Sequence, residues 1–105
     1  MTTLEKVRKL EQYIAIDNGT ADPVLGMAID KMLSREIERL EQLRDSLFTQ
    51  LFEFEQTYKM DSRTQYQRYE QGELGDAMDF MEWAATTEMV ESIDRHLVLL
   101  KDPVR

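Results

Sequence analysis

Between residues 33 and 58 the chain reads LSREIERLEQLRDSLFTQLFEFEQTY. One set of positions in this stretch recurs at alternating spacings of four and three, which places the set on one face of an α-helix. The set forms a seam of seven apolar or aromatic residues and one arginine: Leu33, Ile37, Leu40, Arg44, Leu47, Leu51, Phe54 and Tyr58. This pattern is typical of a coiled coil or an antiparallel bundle, so the helix needs a helical partner.

Two helix starts are visible in the N-terminal third of the chain. Thr2 is followed three residues later by Glu5, which matches a capping box. Asp22 precedes Pro23, the residue type favoured at the first position of a helix. Turn-forming residues lie between the two starts, because residues 17–20 read DNGT. The predicted helices are residues 3–17 and 23–59.

Capping signals in the second half predict a short connecting helix and a final long one. Ser62 and Gln65 form another candidate capping box, and Gly72 is the expected C-terminal cap of the short helix. Asp76 is the expected N-cap of the last helix. These helices are predicted over residues 62–71 and 76–101, and no alternating run remains that would predict a strand.

The fold class expected from these elements is all-α, in a single domain of 105 residues. The two long helices would pack as a coiled-coil-like antiparallel hairpin, joined by the short connecting helix and flanked by the short N-terminal one. Leu43 and Phe48 widen the apolar stripe beside the seam, and the helix over 23–59 is longer than the last helix. We therefore expect homodimerisation into a helical bundle.

Arg44 is the single charged residue on the seam. Its guanidinium could reach solvent along its own methylenes, or it could pair with a carboxylate and fix the register of the helices. The sequence does not decide between the two arrangements.

The net charge of −8 is concentrated in one segment. Residues 70–94 contain eight acidic side chains and no basic one, whereas residues 1–69 are nearly balanced. Such a surface repels phosphate backbones and anionic lipid, so we expect no direct nucleic-acid binding and no membrane binding. The excess acid predicts either a solvated face or a docking surface for a basic protein.

Composition also excludes several classes of site. The chain has no Cys and a single His, His96, so thiolate metal sites and histidine clusters within one chain are excluded. No nucleotide-binding or hydrolase motif is present, and we expect no catalytic residue, no metal site and no cofactor. The chain has no apolar run of membrane-spanning length and no signal-peptide pattern, which predicts a cytoplasmic protein.

Residues 66–83 combine four aromatic side chains with an acidic stretch. In one interpretation the aromatic side chains pack the end of the hairpin and the acids cap the last helix. In the other the segment is a partner-binding corner. Its expected contact residues are Tyr66, Tyr69, Glu73, Asp76, Asp79, Phe80, Glu82 and Trp83. The string Y-x-x-Y-E-x-G-E-L-G-D-x-x-D-F-x-E-W formed by residues 66–83 resembles a segment of small prokaryotic helical proteins. Some of those proteins are regarded as antitoxin-like partners of a neighbouring toxin. The resemblance implies a non-enzymatic interaction module with a basic protein partner.

The alternative is an enzyme. The pairs Glu38 with Glu41 and Glu91 with Asp94 have the spacing that puts two carboxylates on one helix face, where they could hold Mg²⁺. This resembles the divided acidic motif of MazG-type nucleotide pyrophosphohydrolases. A purely structural oligomer is the third hypothesis.

Overall fold

The computed structural model describes residues 1–16, 19 and 22–102, and the helices there follow the predicted order. The four α-helices are α1 (Thr3–Ile16), α2 (Pro23–Tyr58), α3 (Ser62–Glu70) and α4 (Met78–Lys101). The described residues contain no strand, so the all-α prediction is confirmed. The expected end of the first helix at Asp17 and most of the turn over 17–20 lie outside the described residues.

The chain divides into two compact units, Met1–Ser34 and Arg35–Arg105. None of the helices within the described residues has the length and apolar character needed to cross a membrane.

The N-terminal unit, Met1–Ser34, contains α1 and the start of α2. The capping box at α1 is confirmed, because the Glu5 backbone N–H donates to the Thr2 hydroxyl over 3.1 Å and the Thr2 N–H donates to the Glu5 carboxylate over 3.4 Å. The expected cap of α2 is also confirmed, since Asp22 accepts a 2.8 Å hydrogen bond from the Val24 N–H. None of the described residues in this unit is buried.

The second unit, Arg35–Arg105, is built on an antiparallel hairpin of α2 and α4. Phe54 of α2 stacks on Trp83 near the start of α4, whereas Glu41 of α2 pairs with Lys101 at the end of α4 over 3.4 Å. The contacts therefore run in opposite directions along the two helices. The core between them consists of Leu40, Leu47, Leu51, Trp83, Val90, Ile93 and Leu97.

Most of the predicted seam takes part in this core. Leu40, Leu47 and Leu51 are buried in it, and Ile37, Phe54 and Tyr58 pack against it as half-buried side chains. Leu33, at the N-terminal end of the seam, belongs to the other unit and is 42% exposed.

Arg44 pairs with Asp94 of α4, and its guanidinium carbon lies 4.3 Å from the centre of the Phe48 ring. Both members of the ion pair keep more than a third of their side-chain surface in solvent. An ion pair so exposed contributes at most about 1 kcal/mol to stability. The pair joins one turn of α2 to one turn of α4.

The predicted capping box at the start of α3 is wrong. Asp61 is the N-cap, and its carboxylate accepts from the Thr64 backbone N–H over 2.8 Å and from the Thr64 hydroxyl over 2.9 Å. Ser62 and Gln65 are instead buried against the rest of the unit. Asp61 has two acceptor oxygens and extended backbone, so it satisfies the N-terminal donors without them.

The end of α3 follows the prediction. Gly72 has a φ of +75°, its N–H donates to the Tyr69 carbonyl, and the Glu73 N–H donates to the Arg68 carbonyl. This pair of bonds is a Schellman motif, whose left-handed position favours glycine.

The predicted N-cap at Asp76 is wrong, since α4 begins two residues later than expected. Ala77 occupies the cap position and makes no side-chain hydrogen bond there. Gly75, with a φ of +75°, and Ala77, with a φ of −57° and a ψ of 141°, keep this stretch out of the helix. Asp79 supplies the negative charge in the first turn of α4, where the helix dipole favours it.

Replacing Leu47 with alanine tests the position of the core. Leu47 is 4% exposed, so Leu47→Ala should lower the free energy of unfolding by about 2–5 kcal/mol through lost burial and a residual cavity. The matched control is Leu99→Ala on α4, where the leucine is 75% exposed and the change should stay within about 0.5 kcal/mol. Urea denaturation followed by circular dichroism measures both values. Equal losses in the two variants would contradict the assigned core.

Candidate interaction site

Four aromatic side chains meet where the C-terminal end of α2 faces the start of α4. Phe54 and Trp83 stack with ring centres 5.5 Å apart and planes 10° from parallel. The centre of the Tyr58 ring lies 5.8 Å from that of Trp83 and 5.1 Å from that of Phe80. Such an aromatic pair contributes about 0.5–1.5 kcal/mol to stability beyond the contribution of the surface area that it buries. The cluster therefore gives the corner a rigid apolar base.

A buried polar chain ties α3 to this cluster. The Trp83 indole N–H donates to the Ser62 hydroxyl over 2.8 Å, and that hydroxyl donates to the Glu55 carboxylate over 2.9 Å. The Ser62 backbone N–H donates to the same carboxylate oxygen over 2.8 Å. One residue from each of α2, α3 and α4 is thus joined in a single network, which satisfies the indole donor away from water.

Gln65 also links α3 to α4. Its side chain is 0% exposed, and its amide nitrogen donates to the Phe80 backbone carbonyl over 3.1 Å. This carbonyl belongs to the first turn of α4. The bond therefore fixes the distance between α3 and the start of α4.

Two tyrosines at the corner donate to carboxylates on α4. The Tyr58 hydroxyl donates to Asp79, and the Tyr66 hydroxyl donates to Glu88 over 2.6 Å. The hydrogen bond to Asp79 is the main cause that raises the pKa of Tyr58, and partial desolvation and the carboxylate charge act in the same direction. The bond to Glu88, reinforced by Glu70, likewise raises the pKa of Tyr66. Both tyrosines remain neutral donors at physiological pH.

An acidic groove runs along the surface between α2 and α4 beside the aromatic cluster. It has a volume of about 530 Å³ and is lined by Gln50, Glu53, Phe54, Thr57, Tyr58, Asp79, Glu82, Ala85 and Thr86. Three of these residues are carboxylates, and none of the described lining residues is basic. Phe54 and Tyr58 supply the aromatic wall. The groove thus combines negative charge with aromatic faces, a combination that suits a guanidinium or ammonium group.

The structure brings only part of the predicted partner-binding corner to this groove. Asp79 and Glu82 line it and are exposed. Phe80 is half-buried within the aromatic cluster, and Trp83 is 0% exposed. Trp83 therefore belongs to the core, and the expectation that it anchors a partner is corrected, because no part of its ring reaches the surface.

The remaining members of the corner lie on α3 and the loop after it. Tyr66 and Tyr69 are half-buried on α3. Glu73 is exposed and pairs with Arg68 over 3.4 Å, and Asp76 is exposed in the loop. None of these four residues lines the acidic groove.

Sequence reasoning missed the contribution of α2 to the groove. Gln50, Glu53 and Thr57 follow one another at spacings of three and four, so they form a polar row on one flank of the seam. This spacing predicts a polar row on α2. It does not predict a groove by itself, because the acidic residues of the other wall belong to α4.

The four acidic residues of the magnesium hypothesis do not form a metal site. Asp94 pairs with Arg44, and Glu41 pairs with Lys101. Within residues 1–16, 19 and 22–102, no three acidic or histidine side chains lie close enough together to hold a metal ion. The basic side chains compensate two of the four charges, so the hypothesis of Glu38, Glu41, Glu91 and Asp94 acting together has no geometric support.

Comparisons with protein-family models, curated proteins and solved structures returned no match for this chain. The resemblance of residues 66–83 to antitoxin-like proteins therefore stays a prediction. The geometry of the corner carries the functional argument.

Replacing Ser62 with alanine tests the buried network. Ser62→Ala leaves the Trp83 indole N–H without its acceptor, which should lower the free energy of unfolding by about 1–3 kcal/mol. Ser46→Ala, at an exposed position on α2, is the control and should have almost no effect. Urea denaturation followed by tryptophan fluorescence reports both changes. A stability loss at Ser46 as large as that at Ser62 would rule out the assigned role.

The pKa of Tyr58 provides a second test. Because its folded-state pKa is raised above 10.0, the bond to Asp79 stabilises the fold fully below pH 10.0 and stops doing so as pH rises through the raised value. The phenolate absorbance of wild type minus Tyr58→Phe should therefore show a midpoint above pH 10.0. Asp79→Asn should move that midpoint down. If Asp79→Asn leaves the midpoint unchanged, the hydrogen bond between Tyr58 and Asp79 does not form.

Proposed function

We propose that this protein is a non-enzymatic interaction module that binds a basic segment of another protein in the acidic groove between α2 and α4. The observation that carries the proposal is that Glu53, Asp79 and Glu82 line one groove together with the half-buried side chains of Phe54 and Tyr58. A partner arginine or lysine can pair with the carboxylates and lay its charged group against an aromatic face.

Charge supports the choice of a basic partner. The unit Arg35–Arg105 contains 16 acidic and 9 basic side chains, so its net charge of −7 attracts a cationic segment from a distance and speeds its association. The groove then adds the short-range contacts. A nucleic acid or an anionic lipid surface would be repelled by the same field.

The acids of the groove are available for such a contact. Asp79 already accepts from Tyr58, which orients its carboxylate toward the groove wall, and a carboxylate has further acceptor positions for an incoming donor. Glu53 and Glu82 are exposed residues of the α2 and α4 walls. A partner side chain entering the groove would thus contact both helices of the hairpin.

The resemblance of residues 66–83 to antitoxin-like proteins indicates one biological form of this function. In that form the basic partner is a toxin, and the protein masks the basic surface with which the toxin acts. The resembling segment includes Asp79 and Glu82 of the groove and the aromatic residues behind them.

A labelled peptide of alternating arginine and serine tests the groove. Fluorescence anisotropy should detect its binding to the full chain, and Glu53→Gln/Glu82→Gln should weaken the affinity about tenfold, equivalent to 1.4 kcal/mol, because two carboxylate contacts are lost. Binding should also weaken as salt is raised.

The control variant is Glu11→Gln/Glu38→Gln, which removes the same charge from exposed positions outside the groove. It should bind the peptide nearly as well as wild type. If both double variants lose the same affinity, the peptide responds only to net charge and the groove is not the binding site. A peptide of glutamate and serine should not bind at all.

A further inference from the structure

Helix α3 (Ser62–Glu70) adds no buried apolar side chain to the second unit. Its two buried residues, Ser62 and Gln65, are both polar, and its aromatic residues Tyr66 and Tyr69 are half-buried. The core of the unit and the partly buried apolar side chains packed against it come from α2, α4 and Met60, two residues before α3. Helix α3 therefore lacks the main force that holds an element in place, which is the burial of apolar surface.

One of the polar contacts that hold α3 is incomplete. The amide nitrogen of Gln65 donates to the Phe80 carbonyl, but the amide oxygen of the same side chain has no hydrogen-bond partner. Among the residues that the structure describes, this oxygen is the one buried side-chain polar atom without a partner. Burial of an unpaired acceptor is unfavourable, and the penalty disappears when water reaches the atom. Gln65 therefore favours a state in which α3 has moved away.

The fit of α3 against the hairpin also leaves space. Two surface hollows of about 480 Å³ and 420 Å³ lie beside α3, and Phe48 and Leu51 of α2 line both of them. Ser62 lines the first hollow, and Tyr66 is among the α3 residues that line the second. Side chains that face such a space lose the van der Waals contacts that close packing provides. The attachment of α3 to α2 is thus looser than that of a close-packed helix.

Backbone positions with positive φ flank α3 on both sides. Lys59, before α3, has a φ of +55°, which is disfavoured for a residue with a side chain. A return of Lys59 to the favoured region changes the direction of the chain that enters α3. After α3, Gly72 and Gly75 each have a φ of +75°, and nothing lies within 4 Å of the point where a side chain would begin. A few such positions can absorb the rotation that moves a whole element.

We propose that α3 is a strap that lifts from α2 and α4 as a unit while the core of the hairpin stays folded. Opening breaks the side-chain hydrogen bonds between α3 and the hairpin, which join Ser62 to Glu55 and Trp83, Gln65 to Phe80, and Tyr66 to Glu88. It exposes the indole N–H of Trp83 to water. The stacking of Trp83 on Phe54 involves only α4 and α2, so it persists in the open state.

The strap is independent of the proposed function. Ser62, Gln65 and Tyr66, which hold α3 closed, do not line the acidic groove. Loss of peptide binding in the groove would therefore leave the opening of α3 untouched.

Hydrogen exchange of the Trp83 indole N–H tests the proposal on the full chain, because Trp83 is the single tryptophan and gives one resolved NMR signal. Each rate is compared with that of the same group in an unfolded peptide. The indole should be protected at least about tenfold less than the backbone N–H of Leu47, in the buried middle of α2. Urea below the unfolding transition should accelerate exchange at Leu47 and leave the indole rate nearly unchanged, because opening exposes little surface.

The variant Leu97→Ala separates opening of α3 from global unfolding. Leu97 is buried on α4 more than two turns beyond Glu88, so its contacts persist when α3 opens. The substitution should accelerate exchange at Leu47 at least about tenfold through lost core packing and change the indole rate less than about twofold. If this variant does not fold, the urea series on wild type makes the same distinction.

The variant Tyr66→Phe weakens the closed state directly. Loss of the hydrogen bond to Glu88 should accelerate indole exchange about three- to tenfold. Tyr13→Phe, the same change at an exposed tyrosine of α1, is the matched control and should have no effect. Equal protection of the indole and Leu47 in wild type, or equal acceleration of both by urea or by Leu97→Ala, overturns the proposal. An indole rate in Tyr66→Phe no higher than in Tyr13→Phe also overturns it.

Discussion

The burial of one indole ring holds the second unit together. The Trp83 side chain is fully buried. It stacks on Phe54 of α2 and donates its indole N–H to Ser62 of α3. Burying an aromatic side chain supplies several kcal/mol, but only if its polar atom finds a partner. Glu55 completes that requirement by accepting from Ser62. The three helices are thus joined by contacts that depend on one another.

The same constraint explains how the acidic groove forms. When Trp83 faces the core, Asp79, one turn before it on α4, and Glu82, the residue directly before it, fall on the flank beside α2. Glu53 occupies the facing flank of α2 because Phe54, the next residue, packs inward on Trp83. The acids are therefore positioned by the aromatic stack. Electrostatic repulsion among them is tolerated because their side chains reach water.

The two units differ in how far their apolar side chains are buried. In Arg35–Arg105 the heptad-like seam meets α4, and its central leucines are buried. In Met1–Ser34 similar apolar spacing occurs, but none of the residues that the structure describes there is buried, although both helices are well capped by Thr2 and Asp22. Capping stabilises a helix end by about 1 kcal/mol, whereas the hydrophobic face stabilises its position. Among the described residues, Met1–Ser34 thus has well-formed helix caps without buried apolar side chains, whereas Arg35–Arg105 has a buried core.

The sequence by itself determined the four helices, the hairpin and the caps at Thr2, Asp22 and Gly72, because spacing and capping act over a few neighbouring residues. It also located half of the acidic groove, in Asp79 and Glu82. Only the tertiary structure decided that Trp83 is buried, that Arg44 pairs with Asp94 and that α2 supplies the other wall. Those features join residues about twenty to fifty positions apart, and their geometry depends on how two helix faces meet in space, which local periodicity does not specify.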